Sequence, residues 1–267
     1  MIIDGKKIAD EVYASLSERV KRLGRPPRLV IVSCAPNFET QKYLTLKQKK
    51  AELVGIETRL VVLHETSTTE DFVRTIHDAL PTADGVIVQL PLPPTVNKEV
   101  IVQAVPPVYD VDALNSSTTE ILSPVVCAIQ EILKQNEINP VDAQVTILGS
   151  GKLVGLPAYR WFVAHGSHVS LVTSDTTDVV HFTKNADIIV CGAGVSGLLT
   201  PDMITEGVVI IDAGTSEDRG KLRGDAHPDC ALKARLFTPV PGGVGPLTIA
   251  MLLRNVVDCA EYHNRVV

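Results

Sequence analysis

Tyr43 and Lys47 stand four residues apart in Thr40-Gln41-Lys42-Tyr43-Leu44-Thr45-Leu46-Lys47, a spacing that puts both side chains on one face of a helix. A lysine beside a tyrosine and partly withdrawn from water has a lowered pKa, which suits it to acid–base work. Lys49 and Lys50 follow, so an ordinary basic surface helix is the competing reading. Gln89 lies near the end of the apolar run Gly85-Val86-Ile87-Val88-Gln89-Leu90 and precedes Pro91-Leu92-Pro93. A polar amide at the carboxyl end of a buried parallel strand sits where α/β proteins bind ligands. Asp110-Val111-Asp112 adds two acids in a proline-flanked segment, where they could equally be solvated loop charges.

Two glycine-rich segments could hold a ligand. Gly149-Ser150-Gly151-Lys152-Leu153-Val154-Gly155 follows the strand-like Gln144-Val145-Thr146-Ile147-Leu148 and precedes a helical pattern from Pro157 to Ala164. Such a turn lets a phosphate approach the backbone and meet the N–H groups of a helix start. With a further strand ending near Ser174-Asp175, the context favours dinucleotide binding over a turn that merely packs helix on strand. Near the C-terminus, Thr238-Pro239-Val240-Pro241-Gly242-Gly243-Val244-Gly245-Pro246-Leu247-Thr248 lies between the strand-like Arg235-Leu236-Phe237 and an apolar helix starting at Ile249. Its prolines fix φ and its glycines permit close approach. A rigid, side-chain-poor loop of this kind suits a ligand ring or phosphate, or simply a tight turn.

The elements that must position these residues follow from apolar periodicity. Ile8, Val12, Leu16 and Val20 predict an amphipathic first helix. Strands are expected at 28–32, 59–63, 85–90, 144–148, 169–172, 187–191 and 208–211. A helix from about Thr40 to Val54 should end at Gly55, and Ser67-Thr68-Thr69-Glu70 fits a capping box opening a helix to about Leu80. Uninterrupted Val/Ile runs between helices predict parallel sheets. The pattern resets at Asn139-Pro140-Val141-Asp142. The fold class expected is therefore α/β: two α/β domains joined near Leu114 to Leu122, with a cleft between them as the default ligand site and a Rossmann-like second domain.

At 267 residues and 45% apolar composition, the chain can bury a sizeable core. A net charge of −6 without a long basic run argues against nucleic acid or a membrane surface as partner. No apolar stretch approaches the ~20 residues of a transmembrane helix. The start, Met1-Ile2-Ile3-Asp4-Gly5, lacks a secretory layout, so a cytoplasmic location is expected. Five dispersed cysteines point to reduced, mostly buried thiols. His165 and His168 flank Gly166, and no metal site is expected there.

The C-terminal segment resembles the signature T-P-V-P-G-G-V-G-P-[ML]-T of the bifunctional methylenetetrahydrofolate dehydrogenase/cyclohydrolases, the FolD-type enzymes. Met1-Ile2-Ile3-Asp4-Gly5-Lys6, the pair Tyr43 and Lys47 followed by Gly55-Ile56, Gln89-Leu90-Pro91-Leu92-Pro93 and Asp110-Val111-Asp112 agree in order, so the resemblance covers nearly the whole chain. It implies a folate-binding catalytic domain over 1–118 plus 247–267, whose final helix packs back on it, and an NAD(P)-binding domain over 119–246. It also implies oxidation of 5,10-methylenetetrahydrofolate by NADP or NAD, then hydrolysis of the methenyl product to 10-formyltetrahydrofolate. Lys47 would assist proton movement, Gln89 would position it and Tyr43 would line the folate pocket. Leu90, Pro91, Pro241, Gly242 and Gly243 would also contact substrate, and Asp112 would bind the pterin edge. Gly149, Ser150, Gly151, Val154, Gly155, Ser174 and Asp175 would hold the cofactor, and a homodimer is implied.

The chain also departs from the family pattern. Ser150 stands where the family has an arginine for the 2′-phosphate of NADP, and Asp175 lies beside Ser174, so NAD preference is expected. Tyr109 replaces a lysine, Ala113 replaces a glycine, and Ser123-Pro124-Val125-Val126-Cys127-Ala128 replaces P-C-T-P-x-G. A single-activity relative and a non-catalytic nucleotide-binding module are the alternatives. The joint presence of Tyr43, Lys47, Gln89 and Asp112 speaks against the module, because polar groups buried without partners cost free energy.

Overall fold

The Val/Ile runs form buried parallel strands in the computed structural model, which describes residues 1–118, 120–218 and 221–266. The chain divides into two compact units, one of Asp10–Pro124 with Ile249–Val267, the other of Met1–Ala9 with Val125–Thr248. The joint expected near Leu114 to Leu122 includes residue 119, which lies outside the described residues.

In the first of these units the order is α1 (Gly5–Arg22, from Asp10 onward), β1 (Arg28–Cys34), α2 (Phe38–Val54), β2 (Glu57–Leu63), α3 (Thr69–Ala79), β3 (Gly85–Val88) and α4 (Lys98–Gln103). The sheet is β2-β1-β3, all parallel. β1 lies in the middle and buries every residue but Arg28. β2 is an edge strand with alternating exposure. α3 turns Phe72, Ile76 and Ala79 onto a core with Val30, Val32, Val86 and Val88. Asn37 caps α2 by accepting from Thr40 N, and Gly55 ends it at φ 84°, as the left-handed cap requires. The capping box sits one residue later than expected. Thr68 accepts from Asp71 N while the Asp71 carboxylate accepts from Thr68 N, because Asp71 and not Glu70 reaches the third helical position. β3 also stops at Val88, short of the expected Leu90. Gln89 N still donates to Val32 O, but Pro91 and Pro93 carry no N–H to extend the ladder.

The second unit contains α5 (Pro124–Gln135), β4 (Gln144–Leu148), α6 (Gly155–Ala164), β5 (His168–Val172), α7 (Val179–Lys184), β6 (Ile188–Cys191), β7 (Val209–Asp212), the hairpin β8 (Ser216–Asp218) and β9 (Lys221–Arg223), and β10 (Leu236–Phe237); α8 (Val244–Val266) follows. The five-stranded sheet is parallel with order β10-β7-β6-β4-β5. Met1–Ala9 join this unit through the backbone: Phe237 N donates to Met1 O and Ile3 N donates to Phe237 O. The division falls within α8, whose residues from Ile249 onward group with Asp10–Pro124.

Both sheets reverse strand order at their first strand. From β1 the chain goes to β2 on one side and then to β3 on the other; from β4 it goes to β5 and then β6. Carboxyl ends of strands flanking such a reversal are where open α/β sheets bind ligands. α2 follows β1 and Gln89 follows β3; the glycine turn follows β4.

Candidate active site

Lys47 is buried because of its place in α2. Leu44, Lys47, Ala51 and Val54 recur at helical spacing as one stripe, and all four are buried, Lys47 at 5% exposure. Tyr43 lies at the flank of that stripe and is exposed, yet the Lys47 ammonium sits 4.8 Å from its ring centroid. Lys47 Nζ donates to Gln89 Oε1 at 3.0 Å. Gln89 Nε2 donates to Leu90 O at 2.7 Å, which turns the amide oxygen toward the lysine and fixes its orientation. Burial pushes the Lys47 pKa down, and the Asp112 carboxylate pulls it back up. Burial likewise pushes the Asp112 carboxyl up, opposed by the Lys47 charge. An amine whose proton affinity burial lowers, oriented by an amide and balanced by a carboxylate, can carry a proton to or from a ligand. Asp110, by contrast, is occupied: its Oδ2 accepts from Asn115 N and Thr118 Oγ1, both at 2.8 Å. It folds the loop that presents Asp112.

The glycine turn after β4 separates into structural and open positions. Gly149 has φ 97°, and a Cβ there would meet Ala193 and Gly192 O at 2.8 Å. A Cβ on Gly155 would meet Gly149 O at 1.9 Å, so this glycine allows α6 to pack on the turn. At Gly151 the nearest atom is Gly192 O at 3.9 Å, and the residue is exposed, leaving its backbone open to a ligand. Val154 precedes α6 and no side chain caps that helix. Leu156 N donates to Gly151 O and Pro157 carries no N–H, so the anion site of the dinucleotide type consists of the open backbone at Gly151 and the Gly155 N–H at the helix start. The residues present therefore fit a pyrophosphate. β5 pairs with β4 to its last residue, Leu148 opposite Val172, so Ser174 and Asp175 lie just past the neighbouring strand end. Ser150, Ser174 and Asp175 are all exposed.

Two family models match. Residues 3–112 fit the catalytic domain of tetrahydrofolate dehydrogenase/cyclohydrolase, and residues 123–264 fit its NAD(P)-binding domain. The chain belongs to the tetrahydrofolate dehydrogenase/cyclohydrolase family. It is 35% identical to the bifunctional protein FolD of Halothermothrix orenii, across 98% of each chain. Among solved structures it is similar to the bifunctional FolD enzyme of Campylobacter jejuni, with a TM-score of 0.96 and 30% identity over 98% of this chain and 99% of that one. The FolD enzyme of Trypanosoma brucei, solved with NADP and an inhibitor, gives a TM-score of 0.93 and 30% identity over 99% and 98%.

Within this dehydrogenase/cyclohydrolase chain the C-terminal signature loop proves partly structural. Gly5 N donates to Gly242 O, and a Cβ on Gly5 would meet Gly243 O at 1.7 Å. A Cβ on Gly243 would meet Pro239 O and Thr238 Cβ at 2.7 Å. Gly243 is thus a backbone packing position. Gly242 is a glycine through its φ of 111°, with open space about it, and Pro241 is exposed.

The departures from the family pattern have physical counterparts here. Tyr109 packs against His263 as a tilted aromatic pair with ring centroids 4.7 Å apart, a ring–ring contact a lysine could not make. Ala113 adopts φ 52°, the left-handed region a glycine enters freely. Val125, Val126, Cys127 and Ala128 are buried in α5. The sequence reading missed two buried carboxylates, Asp212 and Asp225, although an acid closing the apolar run Val208–Ile211 and a second one after Gly224 were legible.

Proposed function

We propose that Lys47, Gln89 and Asp112 form the proton-handling centre of an enzyme that oxidises 5,10-methylenetetrahydrofolate and hydrolyses the methenyl product to 10-formyltetrahydrofolate. The observation that carries this reading is the buried Lys47 ammonium donating to Gln89 Oε1 at 3.0 Å. In hydrolysis, water attacks the cationic methenyl carbon and must lose a proton. The neutral Lys47 amine accepts it, and the C–N5 bond breaks as N5 gains a proton, leaving the formyl group on N10. The net proton passes to solvent through Lys47. Gln89 holds the amine on target, and Asp112 both tempers its pKa and accepts from the pterin edge. Tyr43, Leu90 and Pro91 line the folate pocket.

A nicotinamide dinucleotide, when bound, supplies the hydride acceptor for the oxidation. Gly149, Ser150, Gly151, Val154 and Gly155 would hold its phosphates, and Ser174 and Asp175 its adenosine ribose. NAD is the preferred form in this reading, since Ser150 offers no cation to a 2′-phosphate and Asp175 repels one. The enzyme acts as a cytoplasmic homodimer joined through its nucleotide-binding units.

Lys47→Met tests the centre. Hydrolysis of the methenyl compound, followed by its ultraviolet absorbance, is expected to fall by about 10²-fold or more, and hydride transfer by much less. Retained cyclohydrolase activity in this variant overturns the assignment.

A further inference from the structure

Asp225 is fully buried, and among the described residues no cation pairs with it. Its carboxylate instead accepts three successive backbone N–H groups. Ala193 N and Gly194 N donate to Oδ2 at 2.7 and 3.1 Å, and Val195 N donates to Oδ1 at 2.8 Å. Successive N–H groups around a left-handed residue, here Gly194 at φ 71°, make a concave anion-binding nest. The anion that fills it belongs to the protein.

The loop so held follows β6 and abuts the glycine turn. Gly192 N donates to Leu148 O, the Cβ position of Gly149 lies 2.8 Å from Ala193 N and Cα, and Val154 Cγ1 lies 2.4 Å from the Cβ position of Gly192. Residues 193–196 are exposed on the outer side while Asp225 grips them from within. Asp212 anchors Asp225 in turn: its carboxylate accepts from Gly214 N, Asp225 N and Ala226 N, and its own N–H donates to Thr238 Oγ1 at 2.7 Å. The carboxyl ends of β6, β7 and β10 are thereby tied to one buried carboxylate pair.

We infer that Asp225 is a positioning residue for dinucleotide binding: its carboxylate sets the 193–195 loop in the shape that completes the nucleotide site beside the Gly149–Gly155 turn. This rests on the nucleotide site proposed above. Both carboxylate oxygens are needed, because an asparagine places an N–H₂ donor against at least one of the loop N–H groups.

Asp225→Asn is the direct test, read by titrating NADH and NADPH fluorescence against the purified protein. Gly214→Ala is the second variant. Its methyl group would stand 2.1 Å from the Asp225 carboxyl carbon and push the carboxylate off the loop without removing its charge. In either variant the dinucleotide Kd is expected to rise at least tenfold, with methenyl hydrolysis, which needs no dinucleotide, within about twofold of wild type. Unchanged dinucleotide affinity in a folded variant overturns the inference. So does parallel loss of hydrolysis and fold in both variants, which assigns Asp225 to stability alone. A wild-type chain that binds neither dinucleotide overturns the nucleotide-site reading itself, and this inference with it.

Discussion

The cofactor choice and proton handling proposed above each turn on single side chains. Ser150 and Asp175 lie past adjacent strand ends and are exposed, so changing them leaves the core untouched. Ser150→Arg combined with Asp175→Ser supplies a cation past one strand end and removes a negative charge, which would repel a 2′-phosphate, past the next. We expect this double variant to tighten NADPH binding at least tenfold relative to NADH. Side-by-side kinetics with both coenzymes measure it, and a wild-type preference for NADP would sink the premise. The identity of Lys47 as a candidate was readable from Tyr43 four residues away, and a basic surface helix remained equally readable from Lys49 and Lys50. What separated them was the partner at residue 89, far along the chain.

At the scale of elements, caps and turns follow local chemistry closely. Asn37 and Gly55 bound α2 and so fix which turn of the helix carries Lys47. The Asp110 loop is similarly local, with Ala113 N donating to Asp110 O and Asn115 N to the Asp110 carboxylate. Ala113 at φ 52° is the weak point of that loop. The left-handed conformation costs a residue with a Cβ about 1–2 kcal/mol, partly offset by the greater unfolded-state freedom of glycine. Ala113→Gly should therefore stabilise the protein by about 0.5–1 kcal/mol, seen as a rise in Tm of roughly 1–3 °C. A lower Tm would show that the alanine is not strained. The one-residue shift of the capping box came from two adjacent pairings that fit the same motif, Ser67 with Glu70 and Thr68 with Asp71, which local sequence does not rank.

Across the whole molecule, buried carboxyls set the pH dependence of stability. Burial pushes Asp110 and Asp212 up to about 6 each, from an ordinary 3.8. A raised carboxyl pKa means the folded state binds more protons than the unfolded state between those values. The resulting stabilisation is fully present below 3.8 and is lost as pH rises through about 6. Asp84 acts in the opposite sense: burial raises it, but bidentate Arg25 at 2.7 Å and the Arg28 N–H outweigh burial and hold it below its ordinary value. Asp110→Asn should thus gain on wild type as pH increases from 4 to 7.5, by up to ~3 kcal/mol in urea unfolding. A pH-independent difference between the two would remove Asp110 as the titrating group.

The sequence by itself determined where most strands lie, the cap residues of α2 and the glycine turn after β4, because these depend on periodicity and on conformations that only a few residue types adopt; the family was legible in the signature motifs. Tertiary structure alone decided that Lys47 is desolvated against Gln89, 42 positions away, and that Asp225 holds a loop 30 to 32 positions before it. A proton affinity depends on lost hydration and on charges brought near by folding, and neither is written in the spacing of neighbours along the chain.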